Sequence, residues 1–177
     1  MLVVHDASVN TWGPATFGDP CEICGFLWST SDEDARTFIV GTVERFTALI
    51  GERDGQVRHA ALEWNVSGYV SHVADSLRVW AERLASVALR DPGPVAEYNQ
   101  EELARARGYD AIGIKGALWS LGRAVGDWQA AVDLITRHQG TMTHAELGTM
   151  TLRDVVIIRA HDVHHHEFDI RRSLGIG

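Results

Sequence analysis

The chain has 177 residues, 45% of them hydrophobic, which is one domain's length with enough apolar material for a core of its own. Its 24 acidic and 16 basic residues leave a formal charge of -8, so no broad basic surface can follow a phosphate backbone and nucleic-acid binding is not expected. No apolar run approaches the roughly 18 residues that span a bilayer, and the opening Met1-Leu2-Val3-Val4-His5-Asp6 lacks a basic region and a signal core, so a cytoplasmic protein without membrane contact is expected.

Residues 1–30 read as an irregular arm, because Gly13, Pro14, Gly18, Pro20 and Gly25 break every period while Trp12, Phe17, Phe26 and Trp28 supply apolar bulk. A first helix is predicted from Ser31, whose acidic next residues Asp32, Glu33 and Asp34 suit the positive end of a helix dipole, through Phe38, Ile39, Val43, Phe46 and Ile50 to Gly51. A second carries Val66, Val70, Val73, Leu77, Trp80, Leu84 and Val87 on one stripe and stops before Asp91-Pro92-Gly93-Pro94. A third repeats that spacing from Leu118 to Ile135, and Thr151 with Asp154 resembles a capping pair for a fourth that runs to about Leu174. No strand pattern competes.

Four amphipathic helices must cover one another's stripes, which predicts an all-α four-helix bundle over 31–177. The connection from Pro92 to about Asp110 is far longer than a hairpin needs, so a long crossover should make helices two and three parallel and return helix four antiparallel to helix two. Helix four is apolar on two faces: Leu152, Val156, Val163, Ile170 and Leu174 on one, Ile157, Ile158 and Phe168 on the other. The second face could meet another copy, making a homodimer.

The chemistry concentrates in His161-Asp162-Val163-His164-His165-His166. His161 and His165 stand at i and i+4, one turn apart on one face, and both rings can reach one cation; His164 and His166 project elsewhere. His72, near the start of helix two, lies at a similar depth if the helices are antiparallel, within roughly 10 Å at 1.5 Å rise per residue. The expected metal site is therefore His72, His161 and His165, with Asp75 and Asp169 behind His72 and His165 as hydrogen-bond acceptors. Three neutral imidazoles leave a divalent ion its full charge and an open position for water or a thiol. Glu63 and Asp162 are candidate general bases beside it.

The segments Ala61-Leu62-Glu63-Trp64, His72-Val73-Ala74-Asp75 and His161-Asp162-Val163-His164-His165-His166 resemble the DinB-like metalloprotein superfamily, which includes mycothiol-dependent maleylpyruvate isomerase and bacillithiol transferase-like proteins. Cys21-Glu22-Ile23-Cys24-Gly25-Phe26 is similar to an actinobacterial branch of it. The resemblance implies a bundle with a long crossover, often dimeric. It also implies zinc, or nickel or iron, on one helix-two residue and an H-x3-H of helix four, here His72, His161 and His165. It further implies transfer or isomerisation of a small-molecule electrophile with a low-molecular-weight thiol such as mycothiol; hydrolysis is the neighbouring chemistry. A noncatalytic, metal-stabilised bundle for dimerisation or partner binding is the alternative, distinguished by a fourth protein ligand closing the metal.

Cys21 and Cys24, the only cysteines, rule out a secreted disulfide framework. They are open to three readings: half of a second metal site completed by His5, His59, His144 or His166, a redox pair, or a packed turn. No glycine-rich phosphate loop or nucleophile triad is present.

Overall fold

The computed structural model describes residues 13–89, 94–95, 98–137, 141–144 and 147–176. Residues 1–12 of the expected arm with His5, the breaker Asp91-Pro92-Gly93, and Gly140 of the last loop lie outside these.

A four-helix bundle forms as expected, with more interruptions than the sequence pattern suggested. After a single turn, α1 (Pro14–Phe17), the expected first helix is two: α2 (Asp32–Val40) and α3 (Thr42–Ile50), parted at Gly41. Ser31 caps α2 by accepting a hydrogen bond from the Asp34 amide at 3.0 Å. The break at Gly41 is held by Arg45, whose Nη1 donates to the Phe38 carbonyl at 2.6 Å and whose Nε pairs with Glu167 at 3.0 Å. That side chain takes over a carbonyl at the break, an effect no apolar spacing encodes.

Helix α4 (Val66–Leu89) and α6 (Ile114–Thr136) form the most extensive helix pair, burying Val70, Val73, Leu77, Leu84, Leu121 and Trp128. The crossover between them holds an unexpected helix, α5 (Gln100–Arg107), capped by Asn99, whose Oδ1 accepts from the Glu101 and Glu102 amides at 3.0 Å. Three short strands also correct the expectation of none: β1 (Pro94–Val95), β2 (Met142–His144) and β3 (Gly148–Met150) form one sheet in that order. Elements of two or three residues are too short to show a period of two. β1, which follows α4, pairs parallel with β2, which follows α6, so the C-terminal ends of both helices meet at one end of the bundle. β3 pairs antiparallel with β2 and hands the chain to α7 (Leu152–Ser173), which starts from that end under a complete capping box of Thr151 and Asp154.

The arm packs against part of α7's second face. Phe17, Phe26 and Trp28 pack on His161 with ring centroids 4.9, 5.5 and 4.5 Å away, and Phe26 also reaches His164 at 5.7 Å. Part of the face that invited a second copy is thus covered by the same chain. No helix among the described residues is long and apolar enough to cross a membrane.

Candidate functional site

Four ligand-bearing side chains of α7 sort into two clusters. Residues 161 and 165 form one i, i+4 pair and residues 162 and 166 another, offset by one position and so by about 100° around the helix. His72 of α4 meets the second pair: its Nε2 lies 3.7 Å from Asp162 Oδ1, and His166 Nε2 lies 3.5 Å from the same oxygen. Cys21 and Cys24 of the arm meet the first pair, with one ligand atom from each of the four residues within 4.8 Å of the others. The expected trio is therefore not brought together: His72 joins Asp162 and His166, while His161 and His165 join the cysteines. A single position along α7 decides this, because the 161/165 face turns toward the arm and the 162/166 face toward α4.

In the His72 cluster the spacing fits a cation. Bonds of about 2.0–2.2 Å at tetrahedral angles place nitrogen and oxygen ligands about 3.3–3.6 Å apart, close to the observed 3.5 and 3.7 Å. The other carboxylate oxygen is tied down: Asp162 Oδ2 accepts from Ser76 Oγ at 2.7 Å and from Arg159 Nη1 at 3.3 Å. Arg159, itself buried, also donates to Ser76 at 2.6 Å. Oδ1 is thereby left pointing at the two imidazoles. His166 is oriented from behind, its Nδ1 lying 3.0 Å from Asp169 Oδ2, which leaves Nε2 for a metal. Asp169 serves His166, not His165 as expected, because it is three residues from His166 on the same face. Asp75 does not serve His72 either; it binds Arg78, Arg107 at 2.6 Å and Tyr109 OH at 2.8 Å. His72 instead stacks on Trp64 at 5.0 Å and 28°.

Charges within this cluster are strongly coupled. Burial would raise the Asp162 carboxyl, but Arg159 and the two imidazoles hold it well below the usual carboxylate range. Burial lowers His72, and the His166 charge adds to that. His166 goes the other way: burial opposes protonation, yet the Asp162 and Asp169 carboxylates lift it to about 9. In the metal-free chain, protonated His166 thus occupies the place of the cation between the carboxylates.

Asp162 also lines a cavity of about 540 Å³, together with Trp80, Arg83, Tyr98, His144 and Arg159. Among the described residues the cluster offers three ligand groups, so an ion held by them alone would have a coordination position to spare. Glu63, expected beside the metal, is exposed and lines a second cavity of about 450 Å³ with Glu101, Arg105 and Tyr109. Asp162, expected as a base, stands instead among the ligands.

The cysteine cluster differs in character. Cys21 and His161 are buried and Cys24 is half-buried. Burial pushes the Cys24 thiol up to about 11 and the His161 ring down to about 4. A thiol so protonated is a poor nucleophile, which weighs against the redox reading. Of the partners considered for the pair, His144 stacks on Trp80 at 5.8 Å, His59 accepts from the Ala61 amide at 3.1 Å, His166 sits in the other cluster, and His5 lies outside the described residues. The i, i+4 rule had exposed 161/165; applied to carboxylates as well as imidazoles, it exposes 162/166.

Comparisons with known proteins agree with this architecture. A family model described as DinB superfamily matches residues 40–168. No curated protein matches the chain. Among solved structures, YfiT from Bacillus subtilis, described as a probable metal-dependent hydrolase with an unusual four-helix bundle topology, superposes with a TM-score of 0.68 at 17% identity, covering 84% of this chain and 92% of its own.

Proposed function

The chain belongs to the DinB superfamily, and from that premise we propose that it is a metal-dependent enzyme holding a divalent cation, zinc in the first instance, with His72, Asp162 and His166. The observation that carries this reading is the double position of Asp162, whose Oδ1 faces both imidazoles while the side chain lines the cavity of about 540 Å³. When bound, the cation supplies Lewis acidity that favours the deprotonated form of water or a small thiol.

The rest is the work of this chain's own side chains. Arg159 and Ser76 fix one oxygen of Asp162 and so aim the other. Asp169 fixes the His166 ring. Trp80 offers a flat apolar wall, and Arg83 brings a guanidinium to the same cavity, where Arg159 is paired with Asp162 and Glu101 also lines the wall. Burial raises the Tyr98 hydroxyl, which stays protonated there and can donate. A guanidinium beside an aromatic wall suits a small substrate with an anionic group next to an apolar body. The nucleophile is water or, as the resemblance to thiol-dependent members implies, a low-molecular-weight thiol such as mycothiol used for transfer or isomerisation.

Turnover of small carboxylate-bearing electrophiles and esters by zinc-loaded protein, measured with and without added thiol, tests this. Thiol-dependent turnover lost in His72→Ala supports transfer or isomerisation, and thiol-independent turnover lost in the same variant supports hydrolysis. Saturable metal binding at His72 without turnover of either class would favour the noncatalytic bundle.

A further inference from the structure

The second cluster asks for an occupant of its own. His161 is 2% exposed, and neither of its ring nitrogens has a hydrogen-bond partner among the described residues; His165 Nδ1 is likewise buried without one. Burying an imidazole nitrogen unpaired is costly, and native interiors rarely tolerate it without an occupant that satisfies it. These nitrogens stand beside two sulfurs, and one ligand atom from each of Cys21, Cys24, His161 and His165 lies within 4.8 Å of the others. A zinc ion with sulfur bonds of about 2.3 Å and nitrogen bonds of about 2.0–2.1 Å needs ligand atoms about 3.3–3.8 Å apart, which this cluster reaches with small side-chain adjustments.

We propose that Cys21, Cys24, His161 and His165 form a closed, tetrahedral Cys2His2 zinc site that fastens the N-terminal arm to α7, separate from the site at His72. Two thiolates and two neutral imidazoles cancel the charge of a divalent ion, so the complex can be buried without a residual charge to solvate. The cysteine pair is preformed: the Cys21 amide donates to the Phe26 carbonyl at 2.8 Å, the Gly25 amide donates to the Cys21 carbonyl at 2.8 Å, and Gly25 turns the chain at φ +76, a region side-chain-bearing residues avoid. Phe17, Phe26 and Trp28 pack around His161 and shield it from water. Four protein ligands leave no coordination position for substrate, so this ion is structural, whereas the His72 cluster has three ligand groups and a cavity.

Cobalt(II) titration of the metal-stripped full chain tests the inference, because thiolate-to-cobalt charge-transfer absorption reports sulfur ligation and the imidazole-carboxylate site produces none. The wild type should bind two cobalt ions, one of which gives that absorption. Cys24→Ser should weaken it, His72→Ala should leave it intact, and His165→Cys, which keeps four ligands, should strengthen it. In zinc-loaded wild type, both thiols should react with a thiol reagent at least ~10-fold more slowly than in the stripped chain. Saturating cobalt without charge transfer in the wild type, or equal thiol reactivity in both forms, overturns the inference, and neither measurement depends on a variant folding. A wild type that binds a single cobalt, with charge transfer, supports the Cys2His2 site and removes the His72 site instead.

Discussion

His161 and Asp162 are consecutive residues whose side chains enter different clusters, the first facing the cysteines of the arm and the second facing His72 of α4. One helix therefore serves two chemistries, and substitutions one residue apart should have unlike effects.

Asp169→Asn removes the carboxylate behind His166 without removing a ligand. Metal affinity at the His72 site should fall about 10–100-fold, the usual cost of losing such an orienting partner. Isothermal titration of zinc into the stripped protein reads this, and the charge-transfer signal of cobalt at the cysteines should not change.

His166 gives metal uptake a definite pH dependence. Its pKa in the metal-free fold is raised to about 9, above the ordinary value of 6.5. The ion pairs behind that shift stabilise the metal-free fold fully below about pH 6.5, and that stabilisation is lost as pH rises through about 9. Ligation requires the neutral ring, so zinc must displace this proton: uptake near neutral pH should release about one proton from His166, and affinity should climb about tenfold per pH unit until about pH 9. With the cysteine site already filled, calorimetry in buffers of different ionisation enthalpy counts the protons at the His72 site; a pH-independent affinity there from 6 to 9 would contradict the assignment.

Arg159→Met separates charge from packing. The Arg159 side chain is 6% exposed and pairs with that of Asp162, 11% exposed, at 3.3 Å. Removing one partner of a buried ion pair costs about 3–5 kcal/mol when the other charge is stranded, and less than that here because Ser76 and protonated His166 still hold Asp162. A bound cation would relieve that stranding, so the loss in Tm should be larger in the stripped protein than with zinc. Equal losses with and without zinc would mean that the ion does not sit against Asp162.

Gly68→Ala sets helix propensity against sterics. Alanine is favoured over glycine inside a helix by about 1 kcal/mol, yet a Cβ here would come within 2.7 Å of Trp64 Cβ. Trp64 stacks on His72, so the clash should be passed to the metal ligand. The variant is expected to melt lower than the wild type and to bind zinc more weakly at the His72 site; a higher Tm would show that Trp64 yields freely.

Local chemistry made much of the fold legible. Ser31 and Thr151 marked helix starts because their hydroxyls cap the third residue beyond, a relation contained in four consecutive positions. The Gly41 break left one local trace, the glycine itself, while the contact of Arg45 with Glu167 that accompanies it spans 122 residues and left none. α5 did leave one, Asn99 before Glu102 and Gly108 after Arg107, although its single buried residue, Ala104, draws no apolar stripe. The i, i+4 pair of His161 and His165 was visible, but which element each α7 face meets is a matter of helix rotation. That rotation separated His72 from them and gave them the cysteines.

The distance in sequence between Cys24 and His161, about 140 residues, bears on how the molecule is made. At synthesis rates of about 5–20 residues per second, the thiols leave the ribosome on the order of ten seconds before the imidazoles exist. Tetrahedral capture of an ion must then await nearly all of the bundle, so the metal acts as a latch set on a finished body and does not seed its assembly.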